Sequence, residues 1–183
     1  VGAVALGPGL GRAACTTPFV RGLLERLALP AVVDADGLWH LEEAGAWIGS
    51  RCAPTVLTPH AGEAARLLGT KRTDVEAGRL EAVGALAERS GAVVLLKGPG
   101  TVVRAPDGRV AVVSTGGAML SSAGTGDVLT GVVAALLAKG MEPFAAAAVG
   151  AAVHGRAAEI AGRGDGTIAG DVIEALPEAV AGR

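Results

Sequence analysis

The sequence is poor in aromatic residues, with two Phe, two Trp and no Tyr among 183 residues. Half of its residues are nevertheless hydrophobic, so a core has to be built from Ala, Val and Leu. A chain of this length can bury such a core in one domain. We therefore expect residues 1–183 to form a single domain.

Other scarce features exclude several classes of protein. The net charge is −2, and no basic stripe marks a nucleic-acid surface. No apolar run approaches the roughly 18 residues that cross a membrane, and no signal sequence is evident. The two cysteines, Cys15 and Cys52, lack the spacing of metal ligands, so we interpret them as buried or incidental thiols. These features predict a reduced, cytoplasmic protein with no nucleic-acid or membrane partner.

Short apolar segments alternate with helical ones along the chain. This alternation predicts an α/β fold with a mostly parallel sheet covered on both faces. Strands are expected at 1–6, 30–33, 55–57 and 92–96, with a β-hairpin at 101–104 and 109–113. Helices are expected at 17–29 with Thr17 as N-cap, at 40–47, 62–68, 74–89, 128–139 and 143–161, and from 171 onward. Because the chain starts at Val1 in an apparent core strand, we expect it to be a fragment.

Polar residues follow these apolar strands, where ligands bind in parallel sheets. Asp34 and Asp36 are candidates either for a metal or for helix capping. His60 either contacts a polar substrate or is satisfied by a loop carbonyl. Lys97 follows four apolar residues, so its ammonium group needs an anionic partner or a route to solvent, and the adjacent Gly98-Pro99-Gly100 turn suits a nucleotide. His40 is expected at the surface, and His154 is expected to be structural.

The stretch from Ser121 to Asp127 precedes an apolar helix. Unpaired N–H groups at a helix start attract anions, and the glycines at 124 and 126 allow close approach of a phosphate. Asp127 either has a chemical role or caps the helix. The Gly7–Gly11 stretch does not meet the spacing of a dinucleotide-binding fingerprint, and no Walker motif is present.

Together these stretches resemble the ADP-dependent NAD(P)H-hydrate dehydratases, whose domain has a ribokinase-like fold. The matching stretches are GPGLG at 7–11, DADGL at 34–38, LTPHAGEAARLLG at 57–69, LKGPGTVV at 96–103 and AGTGDVLTG at 123–131. The resemblance implies a three-layer αβα sandwich, here lacking its N-terminal portion.

The resemblance also assigns roles to individual residues. It implies that Asp127 is catalytic and that Gly9, His60 and Asp127 contact the substrate. It places the nucleotide on Lys97, Gly98, Pro99, Gly100, Thr101 and Gly126, and the helix start adds Gly124 and Thr125. No residue is assigned to a metal.

The implied reaction is ADP-dependent repair of the (6S)-hydrate of NADH or NADPH, with Mg²⁺ as cofactor. A homo-oligomer such as a tetramer and an epimerase as fusion or working partner are also implied. Two alternatives remain open: a small-molecule kinase of the hydroxyethylthiazole or pyridoxal type, and a non-catalytic nucleotide-binding fragment.

Overall fold

A six-stranded sheet forms the centre of the protein. The computed structural model describes residues 2–43 and 51–182, and only the backbone of Glu43. The strands are β1 (Val4–Leu6), β2 (Ala31–Val33), β3 (Thr55–Leu57), β4 (Val93–Leu96), β5 (Thr101–Arg104) and β6 (Val110–Val113). They lie side by side in sequence order, with β1 to β4 parallel and β5 and β6 antiparallel. The predicted mostly parallel sheet and the hairpin are therefore confirmed.

Eight helices are described around this sheet. They are α1 (Thr16–Arg26), α2 (Asp36–Glu43), α3 (Ala61–Leu68), α4 (Arg72–Ala77), α5 (Arg79–Ser90), α6 (Thr125–Ala138), α7 (Pro143–Ala161) and α8 (Ala169–Ala181). The part of the chain that the structure describes contains no helix with the length and apolarity needed to cross a membrane.

The helices form a layer on each face of the sheet. On one face, Val33 and Leu57 pack in a core with residues of α1 to α5, such as Leu24 and Leu86. On the other face, the neighbouring strand residue Val32 packs in a core with residues of α6 and α7. Helix α8 packs outside this second layer, mainly on α7. Successive strand residues face opposite layers, which is why the sequence shows continuous apolar runs rather than alternation.

Several helix boundaries differ from the sequence prediction, including the starts of α6 at Thr125 and of α8 at Ala169. The predicted helix at 74–89 is two helices, because Gly78 leaves the helical conformation with φ −126° and ψ 60°. Helix α1 has Cys15 rather than Thr17 as its N-cap, and it ends at Arg26 because Leu27 is extended. Of the helix predicted at 40–47, residues 40–43 belong to α2, and residues 44–47 lie outside the described residues.

The parallel register places the carboxyl ends of four strands at one edge of the sheet. Leu6, Val33 and Leu57 are aligned across β1, β2 and β3. Beyond these strands, His60 and Lys97 form an isolated parallel bridge between the segments that follow β3 and β4. The polar residues singled out in the sequence therefore meet at this edge.

Candidate functional site

A buried carboxylate lies at the centre of this edge. Asp34, which is 1% exposed, follows β2, and its Oδ1 accepts a 2.7 Å hydrogen bond from Lys97 Nζ. The Thr130 hydroxyl of α6 lies 2.7 Å from Asp34 Oδ2, and the Ala35 amide donates to Oδ1. One carboxylate therefore connects the ends of β2 and β4 with α6. The sequence predicted that Lys97 needs an anionic partner or a route to solvent. Asp34 is that partner, and the Lys97 side chain is also 20% exposed to solvent.

His60 occupies the N-cap of α3. Its Nδ1 accepts hydrogen bonds from the amides of Gly62 and Glu63, at 2.9 and 3.1 Å. The Glu63 carboxylate in turn accepts from the His60 amide at 2.8 Å and lies 3.8 Å from Lys97 Nζ. Because Nδ1 is an acceptor, the neutral ring carries its proton on Nε2. The ring is thus satisfied by helix amides rather than by a loop carbonyl, while its side chain remains 59% exposed.

The start of α6 lies directly against the Lys97–Asp34 pair. A Cβ added to Gly126 would lie 3.4 Å from Lys97 Nζ and 3.8 Å from Asp34 Oδ2. Gly124 is the N-cap in a left-handed conformation, with φ 86° and no side chain to cap the helix. Among the described residues, the Gly126 amide has no hydrogen-bond acceptor. An unpaired amide beside a cation is a suitable environment for an anion.

Asp127 lies in the first turn of α6 and is exposed. Its amide donates to Gly124, but within residues 2–43 and 51–182 its carboxylate accepts no hydrogen bond. Gly124, not Asp127, therefore occupies the cap position. The Thr125 hydroxyl lies 2.6 Å from the Leu120 carbonyl and 2.8 Å from the Ser122 carbonyl, which share its single proton. The Thr125 amide donates to the Ser122 carbonyl over a longer distance of 3.4 Å.

The turn after β4 is exposed at Gly98, Pro99 and Gly100. Gly98 and Gly100 have φ values of 139° and 61°, which side-chain-bearing residues rarely adopt. The Thr101 hydroxyl donates to the Gly98 carbonyl at 3.3 Å, which closes the turn. The guanidinium of Arg79, at the first position of α5, contacts the inner side of this turn.

The Gly7–Gly11 loop forms the β1 side of the site. Gly9 is exposed, with φ 70°, and no atom of the described residues lies within 4 Å of where its Cβ would be. The loop is fixed through Asp36, which accepts from the Gly11 amide at 3.0 Å and from Arg12 at 2.7 Å. The Arg12 hydrogen bond lowers the pKa of Asp36, more than burial raises it.

The expectation that His40 lies at the surface is wrong. It is fully buried and bonds to the Thr17 hydroxyl and the Gly11 carbonyl, each at 2.8 Å. The imidazole joins α1 and α2 to the Gly7–Gly11 loop, so its two ring nitrogens are satisfied inside the protein.

The two aspartates of the DAD stretch do not form a shared metal site. Asp34 pairs with Lys97, whereas Asp36 pairs with Arg12 and caps the glycine loop. In the described ranges, no group of three or more His, Cys, Asp or Glu side chains is arranged to hold a metal ion. Cys15 and Cys52 are both exposed free thiols, so they are incidental rather than buried.

His154 of α7 is buried, as a structural role predicts. It is 4% exposed, and its Nε2 has no hydrogen-bond partner among the described residues. Burial lowers the pKa of His154 to about 4, although a backbone hydrogen bond with Thr125 acts in the opposite direction. The ring is therefore neutral near pH 7.

Sequence reasoning missed several residues of this edge: Glu63, Arg79 and Thr130. Thr130 carried a usable signal, because a hydroxyl inside the apolar segment Val128–Lys139 needs a partner. Glu63 fits the capping pattern of an acidic residue three positions after the N-cap. Arg79 carried no signal that distinguished it from the other arginines.

Comparison with known proteins agrees with this architecture. The sequence model of the NAD(P)H-hydrate dehydratase family matches residues 1–177. The bifunctional NAD(P)H-hydrate repair enzyme Nnr of Moorella thermoacetica is 45% identical over 180 residues, which are 97% of this chain and 34% of that protein. The ADP-dependent (S)-NAD(P)H-hydrate dehydratase of Neisseria meningitidis is 42% identical over 94% of this chain and 60% of that protein. The chain thus spans between about a third and three fifths of these two relatives.

Solved structures support the same relationship. The ADP/ATP-dependent NAD(P)H-hydrate dehydratase from Bacillus subtilis, co-crystallised with ATP and Mg²⁺, matches with a TM-score of 0.89 and 30% identity. The match covers 98% of this chain and 66% of that one. A ribokinase-like superfamily protein from Enterococcus faecalis has a TM-score of 0.80 at 23% identity, over 97% of this chain and 62% of that one, and shares the fold. The predicted ribokinase-like α/β fold is confirmed, and the chain belongs to the NAD(P)H-hydrate dehydratase family.

Proposed function

We propose that this domain carries out ADP-dependent dehydration of the (6S)-hydrate of NADH or NADPH, which repairs the nicotinamide nucleotide. The start of α6 is the observation that carries this proposal. There the Gly126 amide, which has no acceptor among the described residues, lies beside Lys97, and the exposed Asp127 follows it. Family membership supports the choice of reaction, since relatives named for it match almost the whole chain.

The nucleotide would bind between the turn after β4 and the start of α6. Lys97 Nζ has three N–H groups, and Asp34 uses one of them at short range, so a phosphate oxygen can be bound by another. The exposed glycine turn allows the nucleotide to approach the backbone. The assigned residues are Lys97, Gly98, Pro99, Gly100, Thr101, Gly124, Thr125 and Gly126.

The hydrate would bind on the other side of Asp127, against Gly9 and His60. The hydroxyl oxygen of the hydrate attacks the terminal phosphorus of ADP, Asp127 takes the hydroxyl proton, and AMP leaves. Phosphate then departs with the oxygen and a ring proton is lost, which restores the dihydronicotinamide. Asp127 supplies general-base assistance, and Lys97 with the Gly126 amide offsets phosphate charge.

The residues present also fit a Mg²⁺ ion carried by the nucleotide. Mg²⁺ keeps several waters and is held by one or two carboxylates together with phosphates, so a dedicated cluster of protein ligands is not required. Phosphate oxygens and waters would hold the ion, and the exposed Asp127 would lie nearby and stay free to act as the base. Bound there, the ion would neutralise phosphate charge.

Incubation of the protein with the hydrate, ADP and Mg²⁺ tests this proposal. We expect recovery of the NADH absorbance, with stoichiometric AMP and phosphate. A phosphorylated product that persists without NADH would instead support the kinase alternative. No ADP binding and no turnover would support a non-catalytic fragment and contradict the proposal.

The remaining functional expectations are also proposals. Relatives named bifunctional repair enzymes support cooperation with an epimerase, in one chain or in two. We further propose a cytoplasmic, homo-oligomeric enzyme, such as a tetramer, that acts on the hydrate of NADH or NADPH. Light scattering of the purified protein and competition between the two hydrates test the last two points.

A further inference from the structure

Arg79 contacts the turn after β4 from its inner side. Its Nη2 donates to the Leu96 carbonyl at 2.9 Å and lies 3.4 Å from the carbonyls of Lys97 and Gly100. These acceptors lie on both sides of Gly98 and Pro99. A single guanidinium nitrogen therefore connects the entry of the turn to its exit.

Gly98 fits closely against the same guanidinium. A Cβ on Gly98 would lie 2.8 Å from Arg79 Nη1 and 3.3 Å from Nη2, at a backbone φ of +139°. Both the space and the backbone conformation thus require glycine at this position. The guanidinium and the turn are complementary surfaces, so displacement of one displaces the other.

The position of Arg79 follows from the break between α4 and α5. Gly78 is non-helical, and Arg79 is the first residue of α5. Burial lowers the pKa of Arg79, the nearby Glu76 raises it less, and Nε is buried without a hydrogen-bond partner in the described residues. An arginine nevertheless stays charged, so this is a partly buried cation bound chiefly to carbonyls. Such an arrangement favours a role for Arg79 in holding the turn, and it does not resemble an exposed surface ion pair.

We propose that Arg79 is a positioning residue that holds the Lys97–Gly100 turn in the conformation that receives a nucleoside diphosphate. This inference rests on the proposed function, which places ADP on that turn. Arg79 shapes the turn from behind, so it affects the binding of ADP more than the chemical step at Asp127.

The test compares the full chain with its Arg79→Gln and Arg89→Gln variants. Arg89 is the matched control, because it lies on the same helix and donates to a carbonyl outside the turn, that of Leu67. ADP affinity is measured by calorimetry, KM and kcat by the absorbance assay, and order in the turn by amide hydrogen exchange. For Arg79→Gln we expect ADP binding weaker by about tenfold or more, because a charge-assisted hydrogen bond is lost.

The variants also distinguish a specific effect on the position of the turn from a general loss of structure. In Arg79→Gln, exchange should rise at Gly98, Gly100 and Thr101, while kcat and the KM for the hydrate stay within about twofold. Arg89→Gln should match the wild type in all these measurements. Gly98→Ala should weaken ADP binding on its own and should weaken it less in the Arg79→Gln background, because the clash with the guanidinium is then absent and only the backbone strain remains.

Several results would overturn the inference. The inference is wrong if Arg79→Gln keeps the wild-type ADP affinity and the wild-type amide hydrogen exchange in the turn. It is also wrong if the effects of Arg79→Gln and Gly98→Ala on ADP binding are additive. If Arg79→Gln does not fold, Arg79→Lys replaces it, and unchanged affinity and exchange in that variant contradict the inference equally. A wild-type protein that binds no ADP refutes the proposed function, and the inference with it. Wild-type binding combined with an unaffected Arg79 variant refutes the inference alone.

Discussion

The ammonium group of Lys97 lies 2.7 Å from a carboxylate oxygen of Asp34, a residue that is 63 positions away in the sequence. The pair connects the ends of β2 and β4 and therefore passes over the end of β3, which lies between them. Asp34 is 1% exposed and Lys97 20% exposed, so the buried carboxylate is paired with a cation that still reaches solvent.

Replacement of Lys97 is expected to destabilise the fold as well as weaken ADP binding. From the sequence alone, Lys97→Ala would leave the fold intact, since no core volume is lost. The structure changes that expectation, because a buried carboxylate would lose its counter-charge, at a cost of about 3–5 kcal/mol in the free energy of unfolding. Urea denaturation measures this loss of stability. The control is Lys139→Met at an exposed position, for which we expect the free energy of unfolding to change by less than about 1 kcal/mol. An unchanged midpoint for Lys97→Ala would contradict this prediction.

Asp127→Asn is expected to lower the rate without unfolding the protein. Loss of general-base assistance typically costs about 10²- to 10⁴-fold in rate. The stability change should stay below about 1 kcal/mol, the usual size of a carboxylate interaction with a helix start. ADP affinity should hold or rise, because a negative charge near the phosphates is removed.

Asp74→Asn provides a matched control for Asp127. Asp74 also occupies the third position of its helix, but it accepts hydrogen bonds from Thr70 and Lys71. This control should lose stability and keep its rate, the opposite of Asp127→Asn. Wild-type turnover by Asp127→Asn would remove Asp127 from the mechanism.

Gly9→Ala and Gly11→Ala should separate backbone strain from substrate contact. Both glycines have similar positive φ, 70° and 77°, and an added Cβ meets no atom within 4 Å at either position. Each change should therefore cost a similar ~1–2 kcal/mol of stability. Only Gly9→Ala should also raise the KM for the hydrate, because only Gly9 is assigned to the substrate. Equal KM values for the two variants would argue against that assignment.

Acid should destabilise the protein partly through His154. Its pKa is about 4 in the folded protein, against 6.5 for an unperturbed His, so the unfolded chain binds a proton first as pH falls. Stability from this group is therefore full above pH 6.5 and is lost as pH falls towards 4, by roughly 3 kcal/mol. Urea denaturation across this range should show a shallower pH dependence for His154→Gln than for wild type. Parallel curves for the two proteins would contradict this contribution of His154.

The sequence predicted the arrangement of strands better than the contacts between them. Continuous apolar runs placed the parallel strands, and the Gly69 C-cap ended α3 where expected. The break at Gly78 was missed, because a single glycine also occurs inside helices. His40 was misplaced because its two partners, on α1 and on the glycine loop, become neighbours only in the folded protein.

In the candidate site, too, the sequence predicted positions better than contacts. Strand-end positions identified Lys97 and His60 as residues of the edge, since a residue that follows a parallel strand must lie there. Which anion Lys97 would meet could not be read from the sequence, since three acidic residues, Asp34, Asp36 and Glu63, follow neighbouring strands. The register and the side-chain directions decide in favour of Asp34, with Glu63 at a longer distance.

The contact between Thr130 and Asp34 joins positions 96 residues apart, and it shares a carboxylate with Lys97. Contacts of such long sequence separation form only after large loops have closed, which slows folding. This edge of the sheet can therefore be assembled only when β2, β4 and α6 have all docked. During refolding, we expect secondary structure to return early and nucleotide binding to return in the slowest phase.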